Sequence, residues 1–579
     1  MHEKDFKNKE RLKAYEVKLV SKIKHFSSTT GLKILLTVFI LSFLVRLGSS
    51  PLLEIDEAIY AEVAREAFVS GDYFSTYYNF ETEFSKPPFQ YWLLQIFYAI
   101  FGINEWAVRL PSFMAALGVL SLTYLFGKNI RSSDTGLWAC LVLCANVGFY
   151  SMMRDARMDI TLTFFITLSI YGFYNYIYKG QNSIKGFLYV YIGMAGATLT
   201  KGPIGIIFPV SIVFMFILLK RDWGSFKKLK PFHGLLLLIT LITPWYIYMT
   251  HRYGFGFLEK NIIHENFKKF LVKGVYEPNP GGHFFLAHTF FWYFFPWWIL
   301  WFYQQYYWLK EKGSRDQGVK GSVEGKDTNL FLLLWFYIPF VFFSLSKFSL
   351  PNYLSVVIPA ASLGAGIYID SRKGKGIVEY LFSLFSIPLL IIALVSSFLF
   401  FRESLDTFVY LLISGVVIST SYILISTLKK EFFITKAWMI LLIMMIQLLV
   451  SLKFQPTFDT YKPAKPISEA IKKVSGKEFE FGFYKTRLFQ SLIFYTGKKL
   501  NEIGSEDSML QFINSPKERF VITDENEYNL LSQGYRNEMV VLGRFPYFPI
   551  SRISYRFLNP KTREEVIKYI VLIGKKQYA

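Results

Sequence analysis

The sequence predicts an α-helical polytopic membrane protein that ends in a small α/β domain outside the bilayer, and three observations carry that prediction. The 579 residues are 52% hydrophobic and 19% aromatic but only 18% charged, a balance far from that of a soluble globular domain. Apolar runs recur from residue 31 onward, each near the ~20 residues a helix needs to cross a hydrocarbon core. Past Phe454 the runs shorten, charges rise and turn residues appear.

About thirteen runs qualify as spans. They cover residues 31–49, 107–126, 135–151, 160–178, 186–200, 203–219, 232–250, 284–308, 329–346, 352–370, 377–400, 407–427 and 435–453. The chain thus divides into a transmembrane domain, 1–453, and a soluble domain, 454–579. The residues before the first run are too charged, and that run too long, for a removable signal peptide. Cys140 and Cys144 share one face of the third span as packing residues, which excludes a disulfide framework or thiolate cluster.

The net charge of +21 does not imply a nucleic-acid partner, because its distribution is periodic. Nine lysines and arginines precede or open the first run, and basic side chains return in every second connection. These are Lys128 and Arg131; Lys179 and Lys185; Lys220, Arg221, Lys227, Lys228 and Lys230; Arg372, Lys373 and Lys375; and Lys429 and Lys430. Basic connections stay on the cytoplasmic side. The N-terminus is therefore expected in the cytoplasm, and an odd number of spans places the C-terminal domain outside the membrane. There, "KPISEAIKKVSG", "RLFQSLIFYTGK" and "EYNLLSQG" read as helices, and "EFEFGFYK", "RFVITD" and "MVVLGRF" as strands, giving a partly parallel sheet. Residues 310–329 read as a flexible charged loop.

With this topology, five outside connections gather the unusual residues: 50–106, 152–159, the turn at Lys201-Gly202-Pro203, 251–283 and 346–353. They bring Asp56, Glu57, Lys86, Arg154, Asp155, Arg157, Asp159, Lys201, His264, Lys269 and Lys347 to one membrane face. Residues 57–69 carry Ile59, Val63, Ala67 and Phe68 on one side and Glu62, Arg65 and Glu66 on another, the pattern of an amphipathic helix in the interface plane. A second such helix begins after Pro87-Pro88 with Tyr91, Trp92 and Tyr98, aromatics suited to the headgroup belt. Taken singly, Asp56 can cap the first helix, Asp159 can pair with Arg154 or Arg157, and Lys201 and Lys347 can snorkel. Ionisable groups at membrane depth are costly, however, and each needs a partner or a task.

The stretch "IDEAIYAEVAREAFVSGDYF…SKPPFQYWLLQIFYAIFGINEWAVRLPS" is followed in order by "RDARMDITLTFF", "LTKGPIG", "HENFKKF…GGHFFLAHTFFWYFFPW" and "SLSKFSLPNYLSVVIPA". This series resembles the polyprenyl-phosphate-sugar glycosyltransferases of the membrane GT-C class, the superfamily of bacterial aminoarabinose (lipid A) transferases and protein mannosyltransferases. The resemblance implies a sugar donor linked to a polyprenyl phosphate, an acceptor that is lipid A, another envelope glycan or a protein, and inversion at the anomeric carbon. It implies Asp56 as the catalytic base, Glu57 as its support or as a group orienting the sugar, and Asp159 as a second acidic position holding the acceptor or an ion.

By the same resemblance, Lys86 neutralises charge developing on the phosphate. Lys269 stands where the family has an arginine, without its bidentate fork. Lys201, Lys347 and Tyr353 match positions lining the donor site, and Arg157 belongs to the same substrate-binding set. His264 aligns with a residue that ligates metal in the aminoarabinose branch. A divalent ion at His264 with Asp56 or Asp159 is thus one reading, and no cofactor the other. The chain has Ile59 and Ser85 where that branch usually has an arginine and an acidic residue, which leaves the sugar open.

A carboxylate for the acceptor proton and cations for the departing phosphate suit this chemistry independently of the resemblance. The competing class is a lipid or glycolipid transporter, whose charges belong near the bilayer midplane; here they flank the spans at one interface. The sequence has no nucleotide-binding fingerprint, which argues against an ATP-driven pump.

Overall fold

The computed structural model describes residues 29–178, 184–268, 282–313, 323–346, 348–371, 377–401, 406–476, 478–549 and 554–576. Among these, six helices are long and apolar enough to cross a membrane: Glu105–Ile130, Pro231–Tyr253, Asp327–Leu345, Ile377–Phe398, Thr407–Leu428 and Phe432–Asp459. The bent pair Ser133–Cys144 and Val147–Arg154 makes a seventh if its halves count as one span. Shorter apolar helices cover Thr29–Leu44, Phe89–Phe101, Met158–Tyr174 and Ile204–Lys220.

Several expected spans are broken, and a polar residue inside an apolar run shows how. Asn146 accepts the Phe149 N–H and donates to the Tyr293 carbonyl, both at 2.8 Å. It thereby caps a new helix without leaving a buried amide unpaired, and the two halves meet at 73°. The run 284–308 likewise divides into Phe285–Tyr293 and Trp298–Gly313, and the run 352–370 opens with a 3₁₀ turn, Pro351–Val356. Both ends of the charged segment expected as a loop over 310–329 are helical: one helix continues to Gly313 and another begins at Val323, and 314–322 lie outside the described residues.

Close approach of two helices sets the depth of the site. A Cβ at Gly193 would fall 2.6 Å from the Ser169 nitrogen and 2.7 Å from the Phe165 carbonyl, so only glycine lets Ile184–Lys201 lie against Met158–Tyr178. Small residues permit such contacts between helices in lipid. The pairing brings Lys201, at the end of one helix, level with Asp159 at the start of the other.

The connection 50–106, expected outside, folds as the helix Asp56–Ser70, a short hairpin of Tyr77–Tyr78 with Glu81–Thr82, and the helix Phe89–Phe101. The expectation of a surface-lying amphipathic helix fails for Asp56–Ser70. Glu62, Arg65 and Glu66 are buried along with Ala61, Val63 and Ala64, because Phe494 and Tyr495, from beyond the last span, pack onto the same apolar cluster. Burial is tolerated because the polar side pairs with itself and its neighbours. Arg65 donates twice to Glu62 at 2.7 Å, and the Phe80 N–H donates to Glu66 at 2.9 Å. Phe89–Phe101 does keep an apolar outer side, with Ile96, Ile100 and Phe101 exposed.

Beyond residue 464 lies a five-stranded sheet in the order Leu500–Ile503, Glu480–Tyr484, Arg519–Asp524, Lys568–Lys575, Met539–Tyr547. The first three strands are parallel and the last two join antiparallel. Phe481, Phe520, Ile522, Ile570 and Leu572 form the core with Ile467 and Ile471 of the helix Ala464–Val474 and Leu492 and Ile493 of Gln490–Thr496. The strands Leu500–Ile503 and Lys568–Lys575 were not among those expected. The first is only four residues long, and the second, KYIVLIGK, alternates poorly because most of its side chains are buried.

Candidate active site

Asp56 is the first residue of its helix and Ile55 stands in the capping position without a side-chain bond, so the capping role weighed for Asp56 does not hold. Its carboxylate, 33% exposed, receives the Arg157 Nη1–H at 3.3 Å. A carboxylate in a first helical turn also gains from the helix dipole. Arg157 stands beside three acids: its Nε is 3.6 Å from Asp155, and Asp56 and Asp159 both act on it. Burial pulls against its charge, but the three carboxylates outweigh burial and hold the guanidinium more firmly protonated than usual.

Asp159 is bonded at 2.6 Å to Lys201 Nζ. That ammonium also lies 4.7 Å from the centre of the Tyr353 ring, a cation–π distance. Asp56 and Asp159 therefore belong to one opening rather than two. Tyr60, half-buried, lies within reach of both charges: desolvation first, then Asp56 and, more weakly, Asp159 push its phenol well above the ordinary value.

Next to Lys201 is a cavity of about 300 Å³, polar at Lys86, Lys201, Glu265 and Asn266 and walled by Phe343 and Tyr353 among other apolar side chains. Lys86 pairs with Glu265 at 3.0 Å. The site thus runs as a strip of alternating charge, Asp56 to Arg157 to Asp159 to Lys201, into an apolar chamber with two cations in its wall. Such a chamber suits a ligand with an anionic head and a hydrocarbon tail.

Glu57 sits apart from this strip. It is wholly buried, with Arg109 Nε at 2.8 Å and Nη2 at 3.0 Å, and it also receives the Leu53 and Ala156 N–H groups at 2.7 and 3.1 Å. Burial would raise its pKa, but Arg109 and these donors overcome burial and leave it lowered. With both oxygens engaged, Glu57 ties the Asp56 helix to the loop carrying Arg157. The structure therefore favours a support for Asp56 over a group touching the sugar. Arg154 is likewise turned away from the opening, donating to the Phe43 and Val45 carbonyls at 2.7 and 2.9 Å.

His264 is 43% exposed and 3.7 Å from Glu265. Among the described residues, no three His, Cys, Asp or Glu side chains gather as a metal nest, so the donor set does not fit the divalent ion considered for His264. Lys269 and Lys347 lie outside the described residues. Residue patterns had not singled out Glu265, Asn266 or Arg109. Arg109 was nonetheless detectable, as a lone charge inside the apolar run 107–126, where an ionisable residue demands a partner.

The chain is similar over most of its length to known proteins. Residues 85–248 match the family model described as dolichyl-phosphate-mannose-protein mannosyltransferase. An uncharacterised protein of Aquifex aeolicus (strain VF5) is 29% identical over 79% of this chain and 85% of its own length, and another from the same organism is 30% identical over 56% of this chain and 68% of its own. The undecaprenyl phosphate-alpha-4-amino-4-deoxy-L-arabinose arabinosyl transferase of Pseudomonas paraeruginosa is 25% identical over 66% of this chain and 69% of its own length. The fold is that of the crystal structure of ArnT from Cupriavidus metallidurans bound to undecaprenyl phosphate, with TM-score 0.71 and 19% identity over 94% of this chain and 98% of that one. The chain belongs to the GT-C class of polytopic membrane glycosyltransferases that use polyprenyl-phosphate sugars.

Proposed function

We propose that this glycosyltransferase moves a sugar from a polyprenyl phosphate to lipid A, another envelope glycan or a protein at the outer face of the bacterial inner membrane. One observation carries the reading: the charged strip joins a partly exposed carboxylate, Asp56, to a cation-lined apolar chamber. The donor's phosphate rests between Lys86 and Lys201 with its hydrocarbon chain along Phe343 and Tyr353. Asp56 takes the acceptor's proton as the acceptor oxygen bonds to the anomeric carbon. The bond from that carbon to the phosphate oxygen breaks, and the lysines stabilise the charge that collects on the departing phosphate. A single displacement inverts the anomeric centre.

Arg157 and Asp159 hold Asp56 and Lys201 in register; Lys269 and Lys347, outside the described residues, are assigned to the donor by the order of motifs alone. No step is routed through a metal, because among the described residues no three His, Cys, Asp or Glu side chains gather around an ion site. The proposed topology has thirteen spans in residues 1–453, the N-terminus in the cytoplasm, and residues 454–579 as an extracytoplasmic α/β domain. It is supported by the alternation of basic connections along the chain.

The test is transfer by the purified full chain from a panel of undecaprenyl-phosphate sugars, beginning with 4-amino-4-deoxy-L-arabinose, to lipid A, with products read by mass spectrometry. Asp56→Asn, which changes charge at constant shape, is expected to abolish turnover at normal abundance. Full turnover by that variant would remove Asp56 from the base role.

A further inference from the structure

Ser50 is held by the last residue of the final span, and Pro51, Leu52 and Glu54 by residues beyond it. Ser50 Oγ donates to Asp459 at 2.6 Å, Lys462 Nζ donates to the Pro51 carbonyl at 3.2 Å, and the Leu52 N–H donates to the Tyr495 hydroxyl at 2.8 Å. Glu54 receives both the Ser491 N–H, at 3.2 Å, and the Ser491 hydroxyl. With the Gln490 amide oriented so that both its ends are satisfied, its nitrogen also reaches Glu54 at 3.1 Å. The next residue, Ile55, has φ 75° and ψ −106°, a conformation a β-branched residue adopts only where surrounding contacts impose it. Asp56 follows directly, and Glu57 is then locked by Arg109.

We propose that the Glu54–Ser491 contact positions the catalytic carboxylate, so that the C-terminal sheet layer is a working part of the transferase and not a cap upon it. The inference rests on the assignment of Asp56 as base. Asp56 is carried on a strained turn between two anchors, one in the membrane helix Glu105–Ile130 and one in the helix Gln490–Thr496. If the second anchor is released, Ile55 relaxes and the carboxylate swings away from the acceptor. A misplacement of about 1 Å is enough to cost a rate factor of ten to a hundred.

Two measurements on the purified full chain test this. Hydrogen–deuterium exchange needs no substrate: Ser491→Ala and Glu54→Ala should each speed exchange of the amides of residues 52–57 about tenfold, and the double variant no further. Lys499→Ala should leave them unchanged. It removes a different contact of the same layer, the 2.9 Å pair with Glu81.

In turnover with undecaprenyl-phosphate 4-amino-4-deoxy-L-arabinose and lipid A, the two anchor variants should lower kcat about tenfold with donor KM unchanged, and Ser491→Thr should restore it. Unchanged exchange at residues 52–57 overturns the proposal, as does a kcat loss that Lys499→Ala shares. If Asp56→Asn is inactive while the anchor variants turn over normally, the positioning role alone falls. If Asp56→Asn is active, the assignment of the base falls with it.

Discussion

Replacing Arg109 by methionine is expected to invert the pH dependence of this protein's stability. Arg109 is 3% exposed and Glu57 not at all. Besides its two bonds to Glu57, the guanidinium donates to the Leu47, Ser50 and Pro51 carbonyls at 2.7, 2.9 and 3.2 Å. Removing one member of a buried ion pair leaves the other uncompensated and costs about 3–5 kcal/mol. In the native protein Glu57 has a lowered pKa. It therefore contributes stability above the unfolded value near 4.5, lost as pH falls through the lower folded value. Without Arg109, burial, the largest influence on Glu57, outweighs the remaining Leu53 and Ala156 N–H donors and raises the carboxyl. Arg109→Met should then be most stable below the unfolded value and weaken as pH rises toward neutrality.

The assay is the rate of thermal inactivation of detergent-solubilised protein between pH 4 and 8, suited to a membrane protein that unfolds irreversibly. A second arm adds Glu57→Gln to Arg109→Met. Removing both charges should recover about half or more of the single variant's loss. A variant that keeps the native pH profile, or a pair whose effects simply add, would show that Glu57 and Arg109 do not form the hub described here.

Lys201→Met removes the partner of Asp159 and the cation over Tyr353. Loss of a charge-assisted bond worth about 1.5–3 kcal/mol should raise donor KM roughly ten- to a hundredfold, read in the transfer assay; a KM effect confined to the acceptor would reverse the placement of the phosphate. Glu66 is pushed up to about 8 by burial and by Glu62. Its contribution to stability is therefore full below the unfolded value near 4.5 and falls away as pH rises through about 8. Glu66→Gln should abolish that part of the pH dependence, as measured by thermal inactivation from pH 5 to 9. Incubation with a chelator should leave turnover intact, and inhibition reversed by one added divalent ion would restore a metal to His264.

The class of molecule was legible in the sequence because lipid imposes a simple rule: backbone amides need helical partners, and twenty apolar residues are needed to cross. The gathering of Asp56, Lys86, Asp159 and Lys201 on one side followed from counting spans and basic connections, and the order of motifs pointed to the family. The breaks were not legible, because one capping asparagine such as Asn146 hardly changes the hydropathy of a window. Nor was the division of labour between Asp56 and Glu57. Adjacent residues on a helix point about 100° apart, and only the arrival of Arg109 from the helix Glu105–Ile130 gives Glu57 its partner and leaves Asp56 at the opening.

Glu62 and Glu66 misled for the same reason. Their spacing describes a polar helix side, whereas what covers that side comes from a helix over four hundred residues away in sequence, Gln490–Thr496. Residue type and period determined which segments are apolar enough to enter lipid and which acids and cations lie between them. Tertiary structure alone decided which of those charges spend themselves on each other and which remain for a substrate, because pairing depends on distances that no local pattern encodes.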